Sequence, residues 1–198
     1  MTNLNERVLE LIKTYPTDGT HGYHWVSGFD GSTRDIHYQD RLIMKANEEK
    51  QTYCCGLTLE VYLRIMIDEL NYPLGDFQDV INLKRHWFCA SGKYSKARDY
   101  RGPVDALVPI GLGIEIQRQD PMAGDFAQIW RKNGSGHSTI LTDKIITNVD
   151  YWSTQTSTKG IGYRKEFFEG VNNPITNIYI VRALEEKLIN EPGQDQVA

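Results

Sequence analysis

The segment GLTLEVYLRIMIDEL, residues 56–70, constrains this chain more than any other. Leu57, Val61, Ile65 and Leu70 fall on one side of a helix, and Leu63, Met66 and Ile67 widen the stripe until little polar surface remains. A helix this apolar, beginning near Gly56 and stopped by Asn71, Tyr72 and Pro73, must be buried on most of its circumference. The fold therefore has to bring packing partners to it from several sides. With 198 residues, 40% of them hydrophobic and 11% aromatic, the chain holds the apolar material for such a core.

The partners are readable in outline. Leu4, Val8, Leu11 and Ile12 form the stripe of a first helix over 4–14, with Asn3 and Glu6 spaced as a capping box and Pro16 as its stop. Asp76 can cap a third helix whose stripe is Phe77, Val80, Ile81, the stem of Lys84, Trp87 and Phe88. Residues 16–35 carry Tyr23, Trp25 and Phe29; a loop this aromatic packs onto the domain or lines a cleft. A loop at 91–102 follows, and Pro103 opens a short helical or irregular stretch ending at Gly111 and Gly113. The period then changes. FAQIWR (126–131) reads as a strand, KNGSG (132–136) as a hairpin connection, HSTILT (137–142) as the return strand. IITNVDYW (145–152) continues the antiparallel ladder, residues 153–163 read as loop, and ITNIYIVRA (175–183) as a last strand. Helices followed by a meander make an α+β domain.

Several functions are disfavoured by composition. Twenty-two basic against 26 acidic residues leave a net charge of −4, which argues against a diffuse nucleic-acid-binding surface. No apolar run approaches the ~20 residues that span a bilayer. Glu6, Glu10 and Lys13 interrupt the N-terminal apolar residues, so no signal peptide is read; the expected location is cytoplasmic, or outside by a route without a cleavable leader. No cofactor is expected. His86 and Cys89 supply only two metal ligands, and His21, His24 and His37 have no matching second set, so no metal site is expected either. Gly111-x-Gly113 lacks the remainder of a dinucleotide fingerprint. Asp125, after Gly124, reads as a turn-capping residue, and Trp25, Trp130, Tyr151 and Trp152 as core or groove-lining aromatics.

Chemistry concentrates at two short motifs. In Tyr53-Cys54-Cys55-Gly56-Leu57-Thr58 two thiols stand where the buried helix begins. Unpaired N–H groups and the helix dipole there favour a thiolate, and the same donors can stabilise an oxyanion. Adjacent Cys54 and Cys55 are poorly placed for a mutual disulfide, and with Cys89 the thiols read as reduced. In Gly136-His137-Ser138 a histidine opens a strand after a glycine-rich hairpin, at a sheet rim, where an imidazole can take a thiol proton and return it to a leaving amine.

These residues resemble the NlpC-type cell-wall peptidases. C-C-G-L-T before an apolar helix is similar to the C-S-G-L-V start of that family's nucleophile helix, and P-x-x-G-D-F followed by the hairpin and G-H-S-x-I-L is similar to its P-G-D-L and H-V-G-I-Y stretches. The resemblance covers roughly residues 50–155. It implies a papain-like core, a nucleophile helix packed on an antiparallel meander, with extra N-terminal and inserted helices. One domain over 1–198 follows, with a helix and loop at 1–50, a catalytic core at about 50–183 and a tail at 184–198. On this register Cys54 rather than Cys55 matches the nucleophile and His137 the base. Tyr53 departs from the family, which usually has Asp before the cysteine, and no Tyr-x-x-Gly-Gly segment is evident upstream.

The imidazole also needs an orienting group. In the family this is a polar residue on the strand after the histidine strand, and Asn148, Asp150, Ser153 and Gln155 all qualify here; Gln155 is favoured, with Asn148 next. The resemblance implies a thiol hydrolase cleaving an amide of a peptidoglycan stem peptide or related small peptide through a thioester. The alternatives are a binding domain on the same scaffold and an acyltransferase of the same chemistry. Oligomeric state is not readable.

Overall fold

The computed structural model describes residues 3–156, 159–169 and 172–187. Among these residues are four α-helices: α1 (Leu4–Lys13), α2 (Cys54–Leu63), α3 (Phe77–Trp87) and α4 (Pro103–Leu107). Ten strands accompany them. The first four are short: β1 (Gly22–Tyr23), β2 (Ile36–Tyr38), β3 (Arg41–Met44) and β4 (Gln51–Thr52). The rest are β5 (Gly113–Ile116), β6 (Phe126–Arg131), β7 (Gly136–Leu141), β8 (Asn148–Gln155), β9 (Gly160–Phe167) and β10 (Ile175–Ala183). The fold is mixed α+β, and no helix among the described residues is long and apolar enough to cross a membrane.

All ten residues of α2 are buried. The helix begins at Cys54, two residues before the expected start, and after Leu63 it widens into a π-helical turn over Arg64–Glu69. The Leu70 N–H reaches back five residues to Ile65 O at 2.9 Å. Helices α1 and α3 both carry complete capping boxes, Asn3 with Glu6 and Asp76 with Asp79, which satisfy N–H groups that a helix start leaves open. Their buried stripes, Leu4, Val8, Leu11 and Ile12 on α1 and Val80, Leu83 and Trp87 on α3, join Leu57, Val61, Met66, Phe126 and Trp152 in one core between helices and sheet.

Six strands form one antiparallel sheet in the order β5-β10-β6-β7-β8-β9. Strands β6 to β9 are a meander, and β10 returns to the other side of β6. The face away from the core holds a smaller cluster, including Ile129, Leu141, Tyr151 and Ile180, flanked by Ile116, Ile145 and Phe168.

The reading of 153–163 as loop is corrected. β8 continues to Gln155 and β9 starts at Gly160, the two pairing from Asn148–Phe167 to Gln155–Gly160. Thr154 and Ile161 are buried there, so the small and polar residues that suggested loop are ladder residues on a covered strand. Residues 157 and 158, and those of the tail beyond 187, lie outside the described residues. The third strand begins at Asn148 rather than Ile145. β5 was not expected; it pairs with β10 and opens at Gly113, where a side chain would meet Val181 and Leu107 at 2.6 and 2.8 Å.

Two buried carboxylates clamp the layers. Asp125 is fully buried and accepts from Asn5 Nδ2 (2.8 Å), Met122 N–H (2.8 Å) and Arg182 Nε and Nη2 (both 2.9 Å), tying α1, the turn before β6 and β10. It is more than a turn cap. Glu60, also fully buried, accepts from Tyr15 Oη (3.0 Å), Thr33 N–H (2.6 Å) and Thr33 Oγ1 (2.6 Å), which fastens the loop after α1 to α2. Removing one partner of such a pair strands the other charge. Asp125→Ala is therefore expected to cost about 3–5 kcal/mol, read from denaturant unfolding, while an exposed control such as Asp143→Ala changes stability by less than ~0.5 kcal/mol.

Candidate active site

The site forms where the start of α2 meets the sheet. β7 and β8 are paired only at Ile140–Trp152 and Leu141–Tyr151, although both strands continue beyond these pairs. Past the last pair their polar groups find other partners. The Ser138 carbonyl accepts from Ser153 Oγ at 2.7 Å, and Thr154 Oγ1 meets Thr52 Oγ1 of β4 at 2.8 Å. The Ser138 N–H favours the thiolate of Cys54.

Local chain geometry holds the thiol there. β4 pairs in parallel with β1, and Tyr53 leads into α2 with extended backbone and no side-chain cap. The first N–H groups of α2 are thus left without a capping side chain. Tyr53 instead sends its ring sideways against Trp25, Phe29 and Phe88 and donates its hydroxyl to Phe29 O at 2.9 Å. Gly56 lets the chain at Asp30 and Gly31 cross this turn, since a Cβ on Gly56 would lie 1.8 Å from Asp30 O.

Cys54, Cys55 and His137 are all buried, 4–7% exposed, and line one apolar cavity of about 260 Å³ with Cys89 and the aromatic rings of Trp25, Trp87, Phe88 and Trp130. A hydrogen bond from the Cys55 thiol, acting against burial and joined by the charge and hydrogen bond of the His137 ring and by the Ser138 N–H, holds the Cys54 thiol well below the ordinary thiol range. Burial, with the bond it gives to Cys54, pushes Cys55 well above that range. Cys89 is pushed up to about 12 by burial and by the neighbouring Cys54. Of the three thiols, Cys54 is the one poised as thiolate.

The His137 ring packs edge-on to Tyr151, centroids 5.5 Å apart, and its Nε2 is buried without a hydrogen-bond partner among the described residues. Beyond the ring opens a second, polar cleft of about 920 Å³ that includes Gln155, Arg131, Arg164 and Glu166 but neither cysteine. Continuing the β7–β8 register places Gln155 opposite His137. The Gln155 oxygen accepts from Tyr151 Oη at 3.4 Å. The other candidates sit elsewhere. Asn148 and Asp150 bond each other at the far end of β8, Asp150 also pairing with Lys165, and Ser153 is spent on the Ser138 carbonyl. Glu166 is held bidentate by Arg131 at 2.6 and 2.7 Å and takes the Tyr151 hydroxyl. Against the cost of burial, these bonds keep its carboxyl below the usual range.

Comparison of the chain with family models, with curated proteins and with solved structures finds no match. The site's interpretation therefore rests on its own geometry.

Tyr23 was not singled out from sequence as a site residue. It lies on β1, lines both cavities together with Gly136 and His137, and carries a hydroxyl with no hydrogen bond to the described residues. Burial and the nearby thiols push its phenol up to about 12, so it is a hydrogen-bond donor at neutral pH. Two-residue strands have no sequence signature, and only the pairing of β1 with β4 brings Tyr23 to the thiols. Trp152, by contrast, is wholly buried in the main core and lines neither cavity. No group of three or more His, Cys, Asp or Glu among the described residues is placed to hold a metal.

The lowered Cys54 pKa has a measurable sign. A thiol of lowered pKa keeps its thiolate to lower pH, so iodoacetamide labelling of Cys54 in the native protein should fall less between pH 8 and pH 6 than that of an ordinary thiol. An ordinary thiol slows on the order of 100-fold over that interval. Peptide mapping by mass spectrometry should find Cys89 essentially unlabelled at both values; equal pH dependence of the two cysteines would refute the assignment.

Proposed function

We propose that this chain is a thiol amidase built on a papain-like core. The observation that carries the reading is the Cys54 sulfur at the start of a buried helix, sharing one apolar cavity with the His137 ring, which together with the Ser138 N–H favours its thiolate. Nucleophile and base lining one cavity, at a helix start without a capping side chain, are the parts that acyl transfer through a thioester requires.

In this mechanism the Cys54 thiolate attacks the amide carbon and charge moves onto the carbonyl oxygen. The Cys54 N–H at the helix start and the Tyr23 hydroxyl are the donors available to that oxyanion. Protonated His137 gives its proton to the amine, the C–N bond breaks and a thioester remains. His137 then takes a proton from water, which attacks the thioester and frees Cys54. Gln155 orients the imidazole through Nε2, the ring nitrogen that lacks a partner. Cys55 donates to Cys54 and stays a thiol throughout. The resemblance at Cys54 and His137 suggests peptidoglycan stem peptides or related small peptides as substrates.

Amine release from soluble muropeptides and from synthetic peptides tests this. Cys54→Ala should abolish turnover, and His137→Ala should lower kcat by about 10²–10⁴-fold with KM little changed. Cys89→Ala should retain activity. A positioning role for Gln155 predicts a loss of about tenfold or more in Gln155→Ala, together with a shifted pH profile of kcat/KM, and partial rescue in Gln155→Asn. Wild-type turnover by Cys54→Ala would eliminate the amidase reading in favour of a binding domain. Acyl transfer to an added amine in place of hydrolysis would reassign it as a transferase.

A further inference from the structure

The two cavities meeting at His137 differ in chemistry, and the difference fixes the polarity of a bound amide. The apolar cavity holds both Cys54 and His137, whereas the polar cleft holds His137 without Cys54. The acyl group becomes bonded to the Cys54 sulfur and stays beside it. The leaving amine takes its proton from the His137 nitrogen that faces Cys54, and the rest of the leaving group extends past the ring into the polar cleft, which shares Tyr23, Gly136 and His137 with the apolar cavity.

That cleft contains three cationic side chains. Arg131 is neutralised by two bonds to Glu166, and Lys165 is paired with Asp150 at 3.3 Å. Arg164 makes no ion pair among the described residues, and its Nε is buried without any hydrogen-bond partner. It stands opposite Tyr151 in the β8–β9 ladder, on the strand that also carries Glu166. A buried guanidinium N–H without an acceptor costs free energy that an anionic ligand would recover, and guanidinium accepts carboxylate side-on through two parallel bonds. Arg164 is the cation in the cleft whose charge is not already spent.

Resting on the amidase reading, we propose that the polar cleft is a leaving-group subsite for an amine that bears a free carboxylate, an amino acid or short peptide with an open C-terminus, and that Arg164 binds that carboxylate. The enzyme then removes C-terminal residues or short C-terminal peptides in preference to cutting within long chains, and N-acyl amino acids with aromatic or aliphatic acyl groups suit the other side.

Product-side ligands test the subsite without requiring a known substrate. Glycine, glycylglycine and triglycine, each compared with its C-terminal carboxamide, are added to the native protein, and protection of Cys54 from iodoacetamide is measured. At least one free-carboxylate ligand should protect at concentrations tenfold or more below its carboxamide. The preference should vanish in Arg164→Gln and be partly kept in Arg164→Lys. Thermal stabilisation by the same pairs, measured in wild type, Cys54→Ala and the Arg164 variants, gives a readout independent of the thiol. Should Cys54 prove unreactive while the carboxylate preference and its dependence on Arg164 persist, the amidase reading falls and the anion site stands. Equal binding of carboxylate and carboxamide by the wild type, or an unchanged preference in Arg164→Gln, overturns the subsite.

Discussion

The whole site depends on one insertion: the first turn of α2 enters the sheet where β7 and β8 have stopped pairing. Had the ladder continued past Ile140–Trp152, the N–H and C=O of Ser138 would be committed within the sheet. Instead the N–H goes to the Cys54 sulfur and the C=O to Ser153 Oγ. The parting is thus fully hydrogen-bonded at Ser138, as buried backbone groups require. It is also the reason a buried sulfur can hold a charge. Three donors converge on Cys54, from Cys55, His137 and Ser138, and together they outweigh the burial that drives Cys55 and Cys89 the other way.

Keeping that turn in place requires contacts on every side of an apolar helix, and two of them are polar. Glu60 sits in the middle of α2 with no exposure, yet its oxygens take three hydrogen bonds from Tyr15 and Thr33. The residues between α1 and β2 are thereby pinned to α2 rather than left to solvent. Gly31, with φ of 72° and the Tyr53 ring 2.5 Å from where a side chain would stand, brings the same segment over the helix start. Loop, helix and thiol are one mechanical unit. A change at Thr33 or Gly31 reaches Cys54 through Tyr53 and Glu60 without touching either cavity.

What the sequence revealed and what it hid divide along a physical line. Helices α1 and α3 were readable because a capping box and a 3.6-residue stripe are local signals, and β6, the hairpin and β7 because a glycine-rich turn separates two apolar runs. The places of Cys54 and His137 at element boundaries were readable for the same reason, and the fold brings both to one cavity. The rest is set by tertiary packing. The turn joining β2 to β3 places Gln39 and Asp40 at φ of 50° and 58°, a conformation normally signalled by Asn-Gly; Tyr38 and Gln39 hold it by donating to Gly75 O from a distant segment. β9 was hidden because Gly160 and Gly162 lower its local strand preference, while at Gly160 a side chain would lie 1.8 Å from His21 O of a distant segment. The isolation of Arg164 could not be read at all, because it depends on which carboxylates its neighbours have already taken.

The same partition of charge explains why Glu166 is a poor candidate for orienting His137, although it lies in the same cleft. Its oxygens are already committed elsewhere, which leaves none to accept from the imidazole. Here Arg131 and the Tyr151 hydroxyl occupy Glu166, and Tyr151 turns its ring edge toward the histidine. The carboxylate is spent on holding Tyr151, and through it the imidazole's apolar flank, in place. A neutral amide such as Gln155, already tethered to that Tyr151 hydroxyl, can fix the ring without holding its proton.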